Sequence, residues 1–242
     1  MLAKRLHQAY IGRLNFGRRL SQPRRQILAP QAGIPQRHGQ VAPAHDARDL
    51  NVARVSGRSM EKVNVTCIVG IARAGRVIMG ADSAGIGGLD KRIRIDCKAF
   101  INGELIFGGT TSFRMLQLLQ FSLSPPPIIE GTTPYAYAVK ALVPAIRHCL
   151  KEGGWAKTES GQEQGGTFLV GFRGRLFTIY SDYQVAEEAG GIAAVGCGDA
   201  YAMGAMHALP DADPEARLRA GLEAAAAYSA GVAPPFTFIT LP

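Results

Sequence analysis

Thr66, Asp82 and Lys98 follow one another at two equal intervals of sixteen residues. A hydroxyl, a carboxylate and an ammonium in such a set can perform acyl transfer, with threonine as the attacking group. Threonine is a poor nucleophile and needs a base within hydrogen-bond reach. Histidine does not supply one, because His148 and His207, the only two in 66–242, read as ordinary helix residues without metal-ligand spacing. If Thr66 is the first residue of the working chain, its own α-amine is the base. A free α-amine titrates at about 8, and a cationic lysine beside it lowers that value further. Asp82, at the end of its strand, would keep Lys98 charged and oriented. Singly, each residue has a plain structural reading: a β-branched strand residue, a strand-to-turn carboxylate and a solvated strand end. Their joint spacing is what points to chemistry.

The charge of the chain breaks where this set begins. Residues 1–65 hold twelve Lys/Arg against three Asp/Glu, a balance of +9, whereas 66–242 hold fifteen against sixteen, a balance of −1. The net +8 of the whole chain therefore belongs to the leader, and it does not make 66–242 a nucleic-acid binder. The leader has no acidic residue before Asp46, carries Arg18-Arg19 and Arg24-Arg25, and lacks a long apolar run. A secretory signal and a membrane span both require such a run. An organellar transit peptide, a propeptide, a nucleic-acid tail and a misplaced start codon all remain compatible with it. Residues 66–242 have the length of one domain with a substantial core. Cys67, Cys97, Cys149 and Cys197 all lie there with no Cys-x-x-Cys pair, which reads as free thiols in a reducing cytoplasm rather than zinc or redox chemistry.

The elements that must position the set alternate between strands and helices. Thr66–Ala72 and Arg76–Ala81 read as a hairpin turning at Ala74-Gly75, and 167–172 with 175–180 as another turning at Arg173-Gly174. Ile93, Ile95 and Leu105–Phe107 mark further strands, with Asn102-Gly103 as a tight turn. Helices are predicted over Phe113–Leu123, stopped by three prolines, and over Tyr135–Lys151, where Pro144 should kink the helix or start a new one. Ile192–Val195 is a short strand, Asp199–Leu209 and Pro214–Ser229 are helices, and Phe236–Leu241 is a final strand. Two strand groups, each followed by two helices, give an α+β domain with sheets stacked between helical layers.

The run Thr66-Cys-Ile-Val-Gly-Ile-Ala-Arg-Ala-Gly-Arg-Val-Ile-Met-Gly-Ala-Asp82-Ser83, followed by Ile93-Arg-Ile-Asp-Cys-Lys98, resembles the start of a proteasome β-type subunit. The resemblance runs through the whole of 66–242 and is nearest to bacterial homologues. It implies a four-layer αββα sandwich and an N-terminal-nucleophile hydrolase, with Thr66 as nucleophile and base. Lys98 and Asp82 then support it, and no metal or organic cofactor is needed. Gly196-Cys197-Gly198 resembles the family's Gly-Ser-Gly turn, so Cys197 takes the place of a serine that supports the threonine amine. A thiol is the weaker hydrogen-bond partner. Tyr228-Ser229-Ala-Gly231 fills a late turn in which the family often has an aspartate. The oxyanion donors are placed in Gly108-Gly109-Thr110-Thr111-Ser112, with Gly108 and Thr110 as candidates. Cys67 as nucleophile would put Asp82 and Lys98 one residue out of register, and in a strand that slip turns a side chain to the other face.

The activity this implies is a threonine-type endopeptidase acting on polypeptides, assembled as a cytoplasmic homo-oligomeric ring. The resemblance leaves an unfoldase partner unspecified and implies neither nucleic acid nor a membrane. A hydrolase of small amides and a catalytically silent ring subunit are the alternatives. The chemistry requires the working chain to begin at Thr66, because an amine locked in the Val65–Thr66 bond cannot act as a base. Two routes expose it. Residues 1–65 are a propeptide removed by self-cleavage, or Val65 is a GUG start codon and the leader is not translated. Valine in place of the family's usual glycine before the threonine, together with the charge break, favours the second.

Overall fold

The computed structural model describes residues 65–159 and 161–242. Except for Val65, the basic leader of the sequence reading lies outside them. β1 (Cys67–Arg73) and β2 (Arg76–Ala81) form the first hairpin, and β3 (Ala84–Gly87) and β4 (Asp90–Ile93) form a second. β5 (Ala99–Asn102) and β6 (Leu105–Gly109) lead into α1 (Phe113–Phe121). A long helical stretch follows: α2 (Pro134–Tyr137), a π-helical turn over Ala138–Leu142, and α3 (Val143–Glu152). Next come β7 (Lys157–Glu159), β8 (Gln162–Gln164), β9 (Phe168–Phe172), β10 (Arg175–Ile179), β11 (Val185–Glu187) and β12 (Ile192–Gly196). α4 (Asp199–His207), α5 (Pro214–Tyr228) and β13 (Thr237–Leu241) bring the chain to its C-terminal end.

The strands form two main antiparallel sheets, a four-stranded one ordered β12-β1-β2-β13 and a five-stranded one ordered β11-β10-β9-β6-β5. With the helices, this is an α+β domain. Both predicted hairpins turn where the sequence places them, with φ of 51° and 78° at Ala74-Gly75 and 46° and 68° at Arg173-Gly174. Positive φ at both central residues is the turn whose twist matches that of the strands.

Alternation along β1 divides the core. Cys67, Val69 and Ile71 point to α4 and α5, while Ile68 points to the five-stranded sheet. α1 covers the far side of that sheet, where Gly109 abuts the Leu116 and Met115 side chains. Glycines let the sheets approach closely. A Cβ on Gly108 would stand 2.6 Å from Ile68 Cγ2, and one on Gly171 would stand 2.5 Å from Val77 Cγ1. Gly171→Ala should therefore destabilise the domain by about 1–3 kcal/mol through overpacking, read as a lower thermal unfolding midpoint. An unchanged midpoint would mean that the sheets separate freely at this point.

Ile95 and several short strands depart from the sequence reading. Ile95 lies in no strand and is almost fully exposed, whereas Ile93 ends β4. β3, β4, β7, β8 and β11 are short, glycine-bearing or polar, and carry no apolar alternation to reveal them. Pro144 does start a new helix, one of the two outcomes expected of it. The π-helical turn comes just before it, and the proline sits in the first turn of α3. There its missing N–H costs no bond, and the wider turn gives its ring room. Among the described residues, no helix is long and apolar enough to cross a membrane.

Candidate active site

Thr66, Asp82 and Lys98 are each only 2 % exposed; Asp82 is bonded to Lys98 and to the N–H of Cys67, the residue after Thr66. Thr66 immediately precedes β1, Asp82 follows β2, and Lys98 precedes β5. The β1–β2 register, in which Ile68 pairs with Ala81, sets Asp82 beside the start of β1. Strand length and a two-residue turn thus fix the first interval of sixteen.

Asp82 is the hub. Its Oδ1 accepts from Lys98 Nζ at 2.7 Å and from the Cys67 N–H at 3.0 Å. Its Oδ2 accepts from the Ala84 N–H at 2.9 Å and the Ala233 N–H at 3.3 Å. A carboxylate has about four acceptor sites, and here all of them are used. Burial lowers the Lys98 ammonium below the usual lysine range, and Asp82 opposes that by charge and hydrogen bond. The Phe113 ring lies on another side of the ammonium, its centroid 5.9 Å from Nζ, and Arg94 covers that ring at 3.8 Å. Lysine's positive charge is therefore held by one fully bonded carboxylate and an aromatic face.

The other side of Thr66 is wrapped by the Gly196-Cys197-Gly198 turn. Cys197 Sγ accepts from the Thr66 N–H at 3.3 Å and lies 3.5 Å from the Thr66 carbonyl oxygen, and the Gly198 N–H reaches the same oxygen at 3.4 Å. Gly196 has φ of 111°, and a side chain there would run into the Thr66 carbonyl. Only glycine meets both conditions. The Thr66 hydroxyl donates to the Val65 carbonyl, so it is engaged as long as Val65 is attached.

Cys67 is unlike its neighbour. Its side chain packs beneath α4 and α5, and burial, with Asp82 second, pushes its thiol far above the usual range. It stays protonated and serves the site only through its backbone N–H.

Gly108 and Thr110, the residues expected near the oxyanion, have other engagements. Gly108 is paired in the sheet between Ala99 and Leu169, and the Thr110 N–H donates to the Thr167 carbonyl at 3.3 Å. Their N–H groups are therefore not open donors.

The structure adds contacts that the sequence reading did not assign. Ser229 Oγ lies 3.1 Å from Cys197 Sγ, so the late turn reaches the site through a serine rather than an aspartate. Gly231 makes room for the thiol, since a Cβ there would stand 2.5 Å from Cys197 Sγ. Ala233 gives its N–H to Asp82, and Ser83 Oγ ties the same segment down by donating to the Pro235 carbonyl at 2.5 Å. The glycine of Ser229-Ala-Gly231 was the one visible signal of this close approach.

The fold is of the proteasome type. The chain is similar to BPH from Thiobacillus denitrificans, with a TM-score of 0.62 and 22 % identity over 73 % of this chain and 99 % of that one. It is also similar to HslV from Trypanosoma brucei (0.53, 19 % identity, 72 % of this chain and 98 % of that one). A third likeness is to Anbu, the ancestral beta-subunit from Yersinia bercovieri (0.52, 14 % identity, 73 % and 82 %). No family model matches the sequence, and no curated protein matches it.

Proposed function

We propose that residues 66–242 form a threonine-type endopeptidase of the proteasome β-subunit type, with Thr66 as an N-terminal nucleophile. The observation that carries this reading is the buried Thr66–Asp82–Lys98 cluster with a polar atom, Cys197 Sγ, on the Thr66 nitrogen. In the free-amine form the hydroxyl loses its Val65 partner, and the amine takes the hydroxyl proton as oxygen attacks the peptide carbonyl. The Lys98 charge favours the neutral amine and so keeps it available as the base, while Asp82 holds the ammonium in place. Expulsion of the amine product leaves an ester on Thr66, which water then hydrolyses to return the hydroxyl. With Gly108 and Thr110 engaged elsewhere, we assign the oxyanion donors to the next N–H groups, Thr111 and Ser112, at the positive N-terminal end of α1.

The layers fit the same reading. α4 and α5 on the four-stranded sheet, with α1 on the far side of the five-stranded one, correspond to the αββα sandwich of such enzymes. BPH has been solved in complex with epoxomicin, and the Anbu complex of Pseudomonas aeruginosa as a helical assembly. By analogy, we assign this chain peptide substrates and a homo-oligomeric assembly. A reducing cytoplasm suits its four free thiols. The intact catalytic spacing argues against a silent subunit.

The reading requires residues 1–65 to be absent from the working protein, whether by self-cleavage or because translation starts at Val65 and the first residue is removed. Intact-mass measurement on protein from its native source should give a chain beginning at Thr66. A peptidase that retains 1–65 at full activity would overturn the mechanism.

A further inference from the structure

The Lys98 ammonium is buried, and Asp82 is its one hydrogen-bond partner among the described residues. Taking an ammonium out of water is costly, so whatever keeps water from its remaining N–H groups governs how the lysine titrates. Phe113, half-buried at the first position of α1, holds its ring 5.9 Å from Nζ, and the Arg94 guanidinium stands 3.8 Å over that ring. Arg94 is itself fixed at several points. Its backbone N–H donates to the Ser83 carbonyl at 2.9 Å, and its Nε and Nη2 grip the Asp96 carboxylate at 2.8 and 2.7 Å. Gly85 leaves it room, since a Cβ there would stand 2.6 Å from Arg94 Cδ.

The charged and titratable groups that face Lys98 are Asp82 at the end of β2, the Cys67 and Cys197 thiols, Asp96 and, once free, the Thr66 amine. Asp96 balances the charge of Arg94, so the stack brings the lysine little net charge. The ring stands at the outer limit of cation–π attraction, about 6 Å. Burial, by contrast, is the largest influence on the ammonium, and it lowers the lysine below its usual range. The ring therefore acts on Lys98 mainly by excluding water.

We propose that Phe113, clamped by Arg94 and Asp96, is a positioning residue that keeps the Lys98 ammonium dry and so sets the pH at which the Thr66 amine becomes the base. The role in catalysis rests on the endopeptidase reading, whereas the effect on the lysine does not. A charge acts more strongly on its neighbours where water is kept away. With the ring removed, solvent reaches Nζ and the lysine holds its proton to higher pH. Its pull on the Thr66 amine weakens, and the amine too stays protonated to higher pH. Both limbs of the pH–rate profile then move in the alkaline direction. The rate to follow is labelling of Thr66 by a peptide β-lactone in the purified protein, in Phe113→Ala and in Phe113→Tyr. Labelling of Phe113→Ala should fall at least about threefold near about pH 6.5, and the deficit should close near about pH 9. Phe113→Tyr keeps the ring and should restore the native profile. Phe113 follows Thr111 and Ser112, so a merely displaced α1 would weaken the oxyanion donors and lower the rate by one factor at every pH. That result, or a tyrosine variant that behaves like alanine, overturns the proposal. Lys98 can also be titrated without turnover, by NMR of its Cε–Nζ group, assigned by its absence from Lys98→Arg. Its midpoint should lie at higher pH in Phe113→Ala than in the native protein, and an unmoved midpoint overturns the proposal. A moved midpoint in a protein that the β-lactone never labels overturns the peptidase reading and leaves the cover over Lys98 standing.

Discussion

Replacing Thr66 with alanine should abolish labelling by a peptide β-lactone and lower peptide hydrolysis by at least about 10³-fold, the scale seen when a covalent nucleophile is removed. Ring opening of the lactone places the whole probe on the attacking oxygen, so intact mass reads the reaction directly. The fold should survive. The only bond the Thr66 hydroxyl makes among the described residues is to the adjacent Val65 carbonyl, and no distant element depends on it. Thr66→Ser keeps an attacking hydroxyl and should keep the label. Labelling of the alanine variant at undiminished rate would move the nucleophile elsewhere. Cys67 would not be the replacement, because its thiol is held protonated beneath α4 and α5.

The second large effect concerns the Asp82–Lys98 pair, and it joins stability to rate. Asp82→Ala strands the buried Lys98 ammonium and frees three backbone N–H groups at once. Breaking a buried ion pair from one side costs about 3–5 kcal/mol. In a domain of this size that lowers the unfolding midpoint by about 6–20 °C. Lys98→Ala should be milder for the fold, since Asp82 keeps its three backbone donors, but it removes the charge beside the threonine amine. Labelling by the β-lactone should then fall nearly as far as for Thr66→Ala, while calorimetry still finds a cooperative transition. A fast-labelling Lys98→Ala protein would leave the amine without need of the lysine and refute its assigned part.

How much of this was readable in the sequence depends on what each feature is made of. The triple spacing was readable because strand lengths and two-residue turns convert sequence intervals directly into positions. β1, the Ala74-Gly75 turn and β2 carry Asp82 back to Thr66 with no long-range information needed. Hairpins with glycine turns and apolar alternation were readable for the same reason. The rest of the site was not. Ser229 reaches Cys197 across 32 positions, Cys197 reaches Thr66 across 131, and Ala233 reaches Asp82 across 151. Three of the four groups bound to Asp82 are backbone N–H groups, which any residue but proline can supply, so residue type leaves no trace of them. Gly108 and Thr110 illustrate the converse. The family resemblance pointed to them as oxyanion donors, but the engagement of their N–H groups depends on the partner strand β9 and on Thr167.

The span of the Asp82 contacts also sets an order of events. Contacts between residues distant in sequence form late, because the intervening loop must first be closed. The carboxylate that anchors Lys98 takes one donor from Ala233, close to the C-terminal end, and Cys197 is steadied by Ser229 from the same segment. A chain still being synthesised can pair β1 with β2 and bring Thr66 near Asp82, yet it lacks both the last donor and the thiol's partner. Full ordering of the Asp82 and Cys197 contacts is thus tied to the arrival of the segment that carries Ser229 and Ala233.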